Sequence, residues 1–339
     1  MSACDTVLRV AVGVLRDANG RVLISRRRAG THLAGLWEFP GGKREVGESR
    51  WQALARELHE ELGVRALDGH PLIRLTHQYP DRRVELDVWT VSAWEGTATS
   101  VEGQALAWVS PRELPSRDMP AADLPIVSAI GLPPLYLITP DVDLRAGGAF
   151  LETLERSLDG VPALVQLRCK RAFETSSDEA AFVNLAHSAI ALVHRAGAQV
   201  LLNLPKTVSA GARTQLIAAA DGVHLTREQL ENGAPVERQT SDGSLRPLPR
   251  SLIGASCHDR AELAAAARIG ADFAVLSPVQ RTASHPQAKP LGWPVFADMV
   301  RTAKIPVYGL GGMTPTDLGA ARWCGAQGVA AIRGLWLEA

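Results

Sequence analysis

The sequence predicts two domains of different fold class: an α+β sandwich over residues 1–131 and a (β/α)₈ barrel over residues 135–339. In the first part, alternating apolar strands surround one long acidic helix. In the second part, short apolar strands alternate with amphipathic helical stretches. Residues 128–134, SAIGLPP, carry one glycine and two prolines where the first periodicity stops, which predicts the boundary there.

The composition is that of a globular protein. Its 339 residues are 46% hydrophobic and 21% charged, with zero formal net charge. A protein that holds nucleic acid needs a basic surface, so we expect no stable nucleic-acid binding. The four cysteines form no C-x-x-C pair, which indicates a reducing compartment rather than zinc or disulfides. Because neither a signal peptide nor a membrane-spanning apolar run is visible, we expect a cytoplasmic protein without a membrane partner.

The sandwich is predicted to begin with a hairpin. Alternating valines in residues 6–15 predict a strand, residues 17–20 (DANG) a turn, and residues 21–28 the second strand. That strand ends in three arginines, which are either solvated edge residues or phosphate ligands. Because they lead into a glycine turn and the acidic helix, we expect Arg27 to contact phosphate.

The acidic helix is bounded by capping residues. Ser49 can form a capping box with Gln52, and Gly63 suits the position after the last turn. Spacings of three and four residues put the carboxylates of the helix on one face, namely Glu57, Glu60 and Glu61. The opposite face is apolar, with Trp51, Leu54, Ala55, Leu58 and Leu62.

Three carboxylates at one loop-to-helix junction repel one another unless cations lie among them. Hard oxygen ligands suit Mg²⁺, or Mn²⁺, bound to a polyphosphate. The turn before the helix, Phe39-Pro40-Gly41-Gly42, lets its backbone approach a ligand closely. The alternative is an ordinary solvated helix whose glutamates pair with Arg56. Further strands are predicted over 71–79, 83–94 and 105–109, and a closing helix over 125–130.

The stretch Gly42–Val64 follows the spacing G-x₅-E-x₇-R-E-L-x-E-E-x-G-V and resembles the Nudix box. Nudix hydrolases cleave nucleoside diphosphates linked to another group, and the resemblance to MutT-type members extends to residue 130. It implies the following metal ligands: Glu57, Glu60, Glu61, Glu102 and the carbonyl of Gly41. In the catalytic set, Arg56 would orient Glu57, and Glu102 would be another ligand or the general base; the sequence does not decide between Glu102 and a box glutamate.

The same resemblance implies a nucleoside triphosphate as the substrate. Arg27 and Lys43 would face its phosphates, the loop residues Phe39 and Gly42 would line the site, and Arg82 would lie against the purine. Water would attack the β-phosphorus, giving a nucleoside monophosphate and pyrophosphate.

Asp123 stands where MutT-type enzymes carry the asparagine that reads an oxidised purine. An asparagine amide can meet both O6 and the N7–H of 8-oxoguanine, whereas an ionised aspartate accepts only. Asp123 could still read the base if burial protonates it. The alternative is that Asp123 caps the following helix.

Eight short apolar strands are predicted in the second domain: 135–139, 163–168, 199–203, 222–225, 252–256, 273–277, 306–309 and 328–332. Helical stretches lie between them, including 182–195, 260–269 and 316–323. Alternation alone also fits an open doubly wound sheet, but the count favours a closed barrel. The glycine loops after the last two strands are either anion sites or tight turns.

This domain resembles thiamine-phosphate synthase and the TenI-like thiazole tautomerases. The resemblance rests on QLRCK at 166–170, DGVHL at 221–225, IGASCH at 253–258 and GGM at 311–313. It implies a phosphate site built from Gln166, Arg168, Lys170, Gly311, Gly312, Arg333 and Gly334. The metal-binding aspartate of the synthases is Leu204 here, so we expect no synthase activity. His224, His258 and His285 are either structural or catalytic in a tautomerase-like step.

The leading prediction is hydrolysis of 8-oxo-dGTP, which keeps damaged bases out of DNA, beside a barrel that binds a second phosphorylated small molecule. One alternative is hydrolysis of a thiamine-precursor pyrophosphate, with the barrel holding a thiazole or pyrimidine phosphate. Another gives the barrel a sensing or dimerisation role without catalysis. The sequence leaves the oligomeric state open.

Overall fold

A computed structural model describes residues 7–159, 163–170, 173–231, 251–282 and 287–337. The chain divides into two compact units that change over between Leu132 and Pro133, and residues 297–306 and 322–327 are grouped with the first unit. Among the described residues, no helix is both long and apolar enough to cross a membrane.

Residues 7–131 of the first unit form two small sheets and two α-helices. Its elements are β1 (Val7–Leu15), β2 (Val22–Arg26), β3 (Trp37–Glu38), β4 (Gly41–Lys43), α1 (Arg50–Leu62), β5 (Arg65–Gln78), β6 (Arg83–Glu95), β7 (Leu106–Val109) and α2 (Leu124–Gly131). One sheet has the order β4-β1-β6-β5 and the other β3-β2-β7. Strands β1 and β6 run parallel, whereas the other neighbours are antiparallel.

Strand β1 supplies residues to two separate apolar clusters. Ala11 and Leu15 pack with the buried face of α1, while Val12 and Val14 pack with α2. Alternation along one strand therefore places helices on opposite sides of the sheet. This arrangement confirms the predicted α+β sandwich.

The predicted hairpin of the first two strands is wrong. The turn at residues 17–20 forms, but β1 and β2 belong to different sheets and are joined by the single bridge between Arg16 and Val22. The reason is that β4 and β6 already pair with both edges of β1. Strand β2 therefore pairs with β3 and β7 instead.

The second unit alternates strands and helices. Its elements are β8 (Leu135–Ile138), α3 (Gly147–Leu158), β9 (Ala163–Arg168), α4 (Ser176–Arg195), β10 (Gln199–Asn203), α5 (Ala210–Ala219), β11 (Gly222–Leu225), α6 (Arg227–Glu231), β12 (Leu252–Cys257), α7 (Arg260–Arg268), β13 (Phe273–Leu276), α8 (Gly292–Thr302), β14 (Val307–Gly309), α9 (Leu318–Trp323) and β15 (Gly328–Ala331).

All neighbouring strands of β8–β15 are parallel, and the sheet closes where β15 pairs with β8 through Val329 and Leu135. The closed barrel confirms the predicted fold and excludes the open sheet. Its interior is packed by aromatic rings, with Tyr136 and Phe273 in an edge-on contact at 5.3 Å between ring centroids. The interior is therefore a core rather than a channel.

Candidate active site

Helix α1 is held at both ends as the sequence predicts. The Ser49 hydroxyl accepts from the Gln52 backbone at 3.2 Å, and the Gln52 side chain accepts from the Ser49 backbone at 2.9 Å. At the other end Gly63 adopts φ 69° and donates to the His59 carbonyl. These caps, with the buried apolar face, fix the rotation of the helix and turn its glutamates towards the glycine turn.

The glycine turn lies directly against Glu57. A Cβ atom at Gly42 would stand 2.2–2.5 Å from the Glu57 carboxyl group, so a side chain at this position would force that carboxyl group to move. Gly41 has φ +143°, and a Cβ there would lie 2.1 Å from the Ala11 carbonyl oxygen. The two glycines thus allow the backbone of the turn to touch both β1 and the Glu57 carboxylate.

Arg56 gathers three carboxylates of the acidic helix and its approach. It donates to Glu48 at 2.7 Å and to Glu57 and Glu60 at 3.0 Å each. A further bond, at 2.9 Å, reaches the Lys43 carbonyl. The hydrogen bond from Arg56, with a second one from the Glu45 backbone, lowers the pKa of Glu48 to about 2. Glu48 is a member of the site that sequence analysis left without a role, although the box spacing marks its position.

Glu61 is buried among other acids. It accepts from the Gly41 backbone N–H at 3.1 Å, but burial raises its pKa to about 8, with repulsion from Glu38, Glu57 and Glu102 adding to the effect. Burial raises the pKa of Glu57 as well, against the opposing charge of Arg56. Hard oxygen donors that burial and mutual repulsion keep from ionising fit a divalent cation, which would stabilise their charged forms.

The predicted ligand set is only partly assembled. In the described part of the chain, no three His, Cys, Asp or Glu side chains lie close enough to hold a metal ion as they stand. Three of the predicted ligands pair with arginines: Glu57 and Glu60 with Arg56, and Glu102 with Arg28, at 3.0 Å each. A cation at these carboxylates would compete with the guanidinium groups for the paired oxygens.

The two cations predicted to contact phosphate differ in their present partners and exposure. Arg27 forms an ion pair with Glu38 and donates from Nε to the His32 carbonyl at 2.6 Å. Lys43 ends β4 with an exposed side chain. The sequence does not reveal Glu38 as the partner of Arg27, because the pairing depends on β2 lying beside β3.

On the predicted base side, Arg82 pairs with its neighbour Asp81 at 2.8 Å and is exposed. Phe39 is buried, 3% exposed, in the core between β1 and α2. The ring of Tyr79 packs against His32 and His77, with centroids 5.6 and 4.5 Å away. These three rings form an aromatic cluster that sequence analysis did not single out.

Asp123 directly precedes α2, yet its side chain makes no capping hydrogen bond. The capping alternative is therefore wrong for the carboxyl group. The residue is 8% exposed, and burial, with repulsion from Glu38, raises its pKa to about 8. The negative form of Asp123 in turn helps raise the pKa of Tyr79, so the two groups are neighbours. At pH 7 the Asp123 carboxyl is mainly neutral.

In the barrel, Gln166 is buried and Arg168 is half-buried with no hydrogen-bond partner for its Nε among the described residues. The backbone N–H of Lys170 donates to Asp141 at 2.7 Å. Arg333 is exposed. An unpartnered guanidinium nitrogen in a half-buried place suits an anion.

The barrel glycines also serve close packing. A Cβ at Gly312 would lie 2.4 Å from the Arg281 carbonyl oxygen, and one at Gly334 would lie 2.5 Å from that of Met313. Gly311 has φ +102° and lies under Pro278. These contacts support the tight-turn alternative, and an anion site at the same loops remains a proposal.

The barrel histidines differ in their surroundings. His224 is buried between Tyr136, at 3.0 Å from Nδ1, and Ser256, at 2.9 Å from Nε2, and burial lowers its pKa to about 3. It is therefore neutral and satisfied, as expected of a structural histidine. His258 contacts Glu262 at 2.9 Å. His285 lies outside the described residues. Leu204, at the position of the synthase aspartate, is buried.

The acidic helix, its arginine and the glycine turn define the first unit as a Nudix-type hydrolase of phosphorus anhydrides. One protein-family model matches each unit of the chain. Residues 11–129 match the NUDIX domain, and residues 135–335 match thiamine monophosphate synthase. The chain belongs to the Nudix family over its first unit and to the thiamine monophosphate synthase family over its second.

The relatives divide in the same way. An 8-oxo-dGTP diphosphatase of Escherichia coli (strain K12) is 40% identical over 36% of this chain and 95% of its own length. A CTP pyrophosphohydrolase of the same organism is 40% identical over 35% of this chain and 87% of its own. A thiamine-phosphate synthase of Syntrophomonas wolfei subsp. wolfei (strain DSM 2245B / Goettingen) is 31% identical over 59% and 87%, respectively. The chain is a Nudix pyrophosphohydrolase fused to a thiamine-phosphate synthase-like domain.

Proposed function

We propose that the first unit hydrolyses 8-oxo-dGTP to 8-oxo-dGMP and pyrophosphate with Mg²⁺, and so keeps oxidised guanine out of DNA. The observation that carries this proposal is the buried, mainly neutral carboxyl of Asp123. A protonated carboxyl offers one O–H donor and one C=O acceptor, which is the pattern of an asparagine amide. It can donate to O6 and accept from N7–H of the oxidised base.

Unoxidised guanine presents two acceptors on the same edge. Its N7 would face the carbonyl oxygen of Asp123, leaving two acceptors opposed without a proton between them. A site that leaves buried polar groups unpaired rejects a ligand strongly. The charge of Asp123 raises the pKa of Tyr79, whose ring packs against His32 and His77, so aromatic rings lie near the carboxyl that would read the base.

For the reaction itself, Glu57, Glu60, Glu61, Glu102 and the Gly41 carbonyl would hold the divalent cation. When bound, that cation neutralises charge on the phosphate oxygens. Arg56 orients Glu57 through a 3.0 Å bond, and Gly42 leaves space for the Glu57 carboxyl. A carboxylate of the site would take the proton of the attacking water. The general base is one of the box glutamates or Glu102.

We assign this unit to residues 1–131 and the barrel to residues 135–339. The barrel is proposed to bind a phosphorylated small molecule at Arg168, with Gln166 and Lys170 on the same strand end and Gly311, Gly312, Arg333 and Gly334 at the last two loops. It is proposed to lack synthase activity, because an apolar, buried Leu204 cannot replace a metal-binding aspartate.

A second candidate substrate is a thiamine-precursor pyrophosphate. The observation that favours it is the presence of a thiamine monophosphate synthase domain in the same chain. Both candidates use the same box residues and differ in the group linked to the phosphates.

Mg²⁺-dependent hydrolysis across a substrate panel decides between them. We would compare kcat/KM for 8-oxo-dGTP, dGTP, CTP and hydroxymethylpyrimidine pyrophosphate, with Glu57→Gln as the inactive control. A preference for 8-oxo-dGTP over dGTP of about 10- to 100-fold, the order expected from a cost of about 1–3 kcal/mol for a buried polar group left unpaired, supports the proposal. Equal rates, or a preference for the pyrimidine pyrophosphate, contradict it.

A further inference from the structure

The loop that carries Glu102 is fastened to the C-terminal end of α1. Val101 donates its backbone N–H to the Glu61 carbonyl at 3.1 Å, and the Gln104 side chain donates to the same carbonyl at 2.9 Å. The Gln104 amide oxygen accepts from the Glu102 backbone at 3.2 Å. These bonds keep the Glu102 backbone beside Glu61 and leave its side chain free to change partners.

The present partner of that side chain is Arg28, which follows β2. Its Nη1 donates to the Glu102 carbonyl oxygen at 2.9 Å, and its Nη2 lies 3.0 Å from Oε2 of the same residue. One guanidinium thus engages both the backbone and the carboxylate of Glu102. Of the three consecutive arginines, Arg26 donates to the Gly35 carbonyl and Arg27 pairs with Glu38, so Arg28 is the member that contacts Glu102.

This contact opposes the role proposed for Glu102. A cation bound to the Glu102 oxygen that Arg28 holds would bring two positive charges together, as it would at the Glu57 and Glu60 oxygens that Arg56 holds. The pair is also easy to open, because the two side chains are 51% and 42% exposed. A guanidinium that leaves a carboxylate is well suited to bind phosphate, which offers the same paired oxygens.

We propose that Arg28 is a positioning residue that holds Glu102 in the free enzyme and exchanges it for a phosphate of the nucleotide when Glu102 turns to the divalent cation. The proposal rests on the proposed role of Glu102 as a ligand or base. It assigns to Arg28 the phosphate contact that sequence analysis expected of Arg27.

The test measures Mn²⁺ binding to the metal-free full chain, without nucleotide, by calorimetry or by electron paramagnetic resonance of free Mn²⁺. The test variant is Arg28→Met. The matched control is Arg26→Met, which removes the same charge two residues away. Both substitutions are also made in a Glu102→Gln background. We expect Arg28→Met to bind Mn²⁺ about two- to fivefold more tightly than Arg26→Met, the range of an exposed ion pair. The difference should vanish in the Glu102→Gln background.

Arg28→Met is expected to improve Mn²⁺ binding but to weaken nucleotide binding, which steady-state kinetics measures. For dGTP hydrolysis, Arg28→Met should raise KM more than Arg26→Met does while changing kcat less, and Arg28→Lys should recover part of the loss. If Arg28→Met and Arg26→Met have equal Mn²⁺ affinity and equal KM, the role of Arg28 is overturned. Weaker Mn²⁺ binding in Glu102→Gln would at the same time keep the role of Glu102. Unchanged Mn²⁺ binding and hydrolysis in Glu102→Gln would overturn the role of Glu102, and the exchange with it.

Discussion

The substitution Asp123→Asn separates the two chemical forms that the buried carboxyl of Asp123 can take. Asparagine keeps the donor and acceptor pattern of the neutral acid at every pH. In the native chain the pKa of about 8 makes that pattern depend on pH. Activity towards 8-oxo-dGTP is thus expected to be present below the pKa of Asp123 and to be lost as the pH rises through it.

The size of the effect follows from the titration. With a pKa of about 8, the neutral fraction is about 0.9 at pH 7 and about 0.09 at pH 9, so kcat/KM for 8-oxo-dGTP should fall about tenfold over that interval through Asp123. Other groups titrate in the same range, Glu61 among them. They are common to both proteins, so the ratio of native to Asp123→Asn kcat/KM isolates the contribution of Asp123.

The assay is steady-state hydrolysis of 8-oxo-dGTP from pH 6 to 9.5 with saturating Mg²⁺. The matched control is Asp118→Asn, which makes the same change at an exposed position five residues earlier in the same loop. The native-to-variant ratio of kcat/KM should fall about tenfold between pH 7 and pH 9 for Asp123→Asn and stay flat for Asp118→Asn. A flat ratio for both would refute a neutral Asp123 as the base reader.

The pH dependence of the free energy of unfolding is an independent test of the raised pKa of Asp123. Native Asp123 keeps its proton to a pKa of about 8, whereas the unfolded chain loses it near the ordinary value of about 3.9. The native state therefore binds more protons in this window, and its free energy of unfolding falls as pH rises from about 4 to 8. Urea unfolding at pH 5 and 9 should show a smaller loss for Asp123→Asn than for the native chain. An equal loss of stability in the two proteins would mean that a group other than Asp123 titrates.

Three further outcomes follow from the contacts. Glu57→Gln should cut Mg²⁺-dependent hydrolysis by about 10²- to 10⁴-fold with the circular dichroism spectrum unchanged; a smaller loss would contradict the box mechanism. Gly42→Ala should lower kcat because its Cβ would displace the Glu57 carboxyl, whereas Gly131→Ala, where φ is likewise not positive and the added Cβ has nothing within 4 Å, should leave kcat unchanged; equal loss in both would contradict the steric argument. The full chain should form no thiamine phosphate from the pyrimidine pyrophosphate and thiazole phosphate, and detectable product by chromatography would contradict the reading of Leu204.

The barrel could be predicted almost strand by strand because buried parallel strands appear as short continuous apolar runs. The predicted strand 222–225, for example, coincides with β11. The failed hairpin shows what such local patterns omit. The turn at 17–20 is encoded locally, but the pairing of β1 depends on β4 and β6, which come later in the chain. Likewise β5 begins at Arg65, six residues before the predicted start at 71, because its irregular first part pairs with β6.

The same division holds for the candidate site. Helical spacing and capping placed the box glutamates on one face, and the structure confirms the helix and its caps. The partners of Arg27 and Arg28 lie 11 and 74 residues away, so no local pattern could reveal them. The burial that favours the neutral form of Asp123 also arises from packing between distant segments. From the sequence alone, base reading by Asp123 could therefore be predicted only on the condition that the residue is buried.

The central claim is that this chain removes oxidised guanine nucleotides, and a mutation-rate assay tests it most directly. The full chain would be expressed in a bacterial strain that lacks its own 8-oxo-dGTP diphosphatase, beside Glu57→Gln at equal protein level. We predict that the native chain lowers the frequency of A·T to C·G mutations and that Glu57→Gln does not. An undiminished frequency with the active, expressed native chain would contradict the claim and favour the pyrimidine pyrophosphate as its substrate.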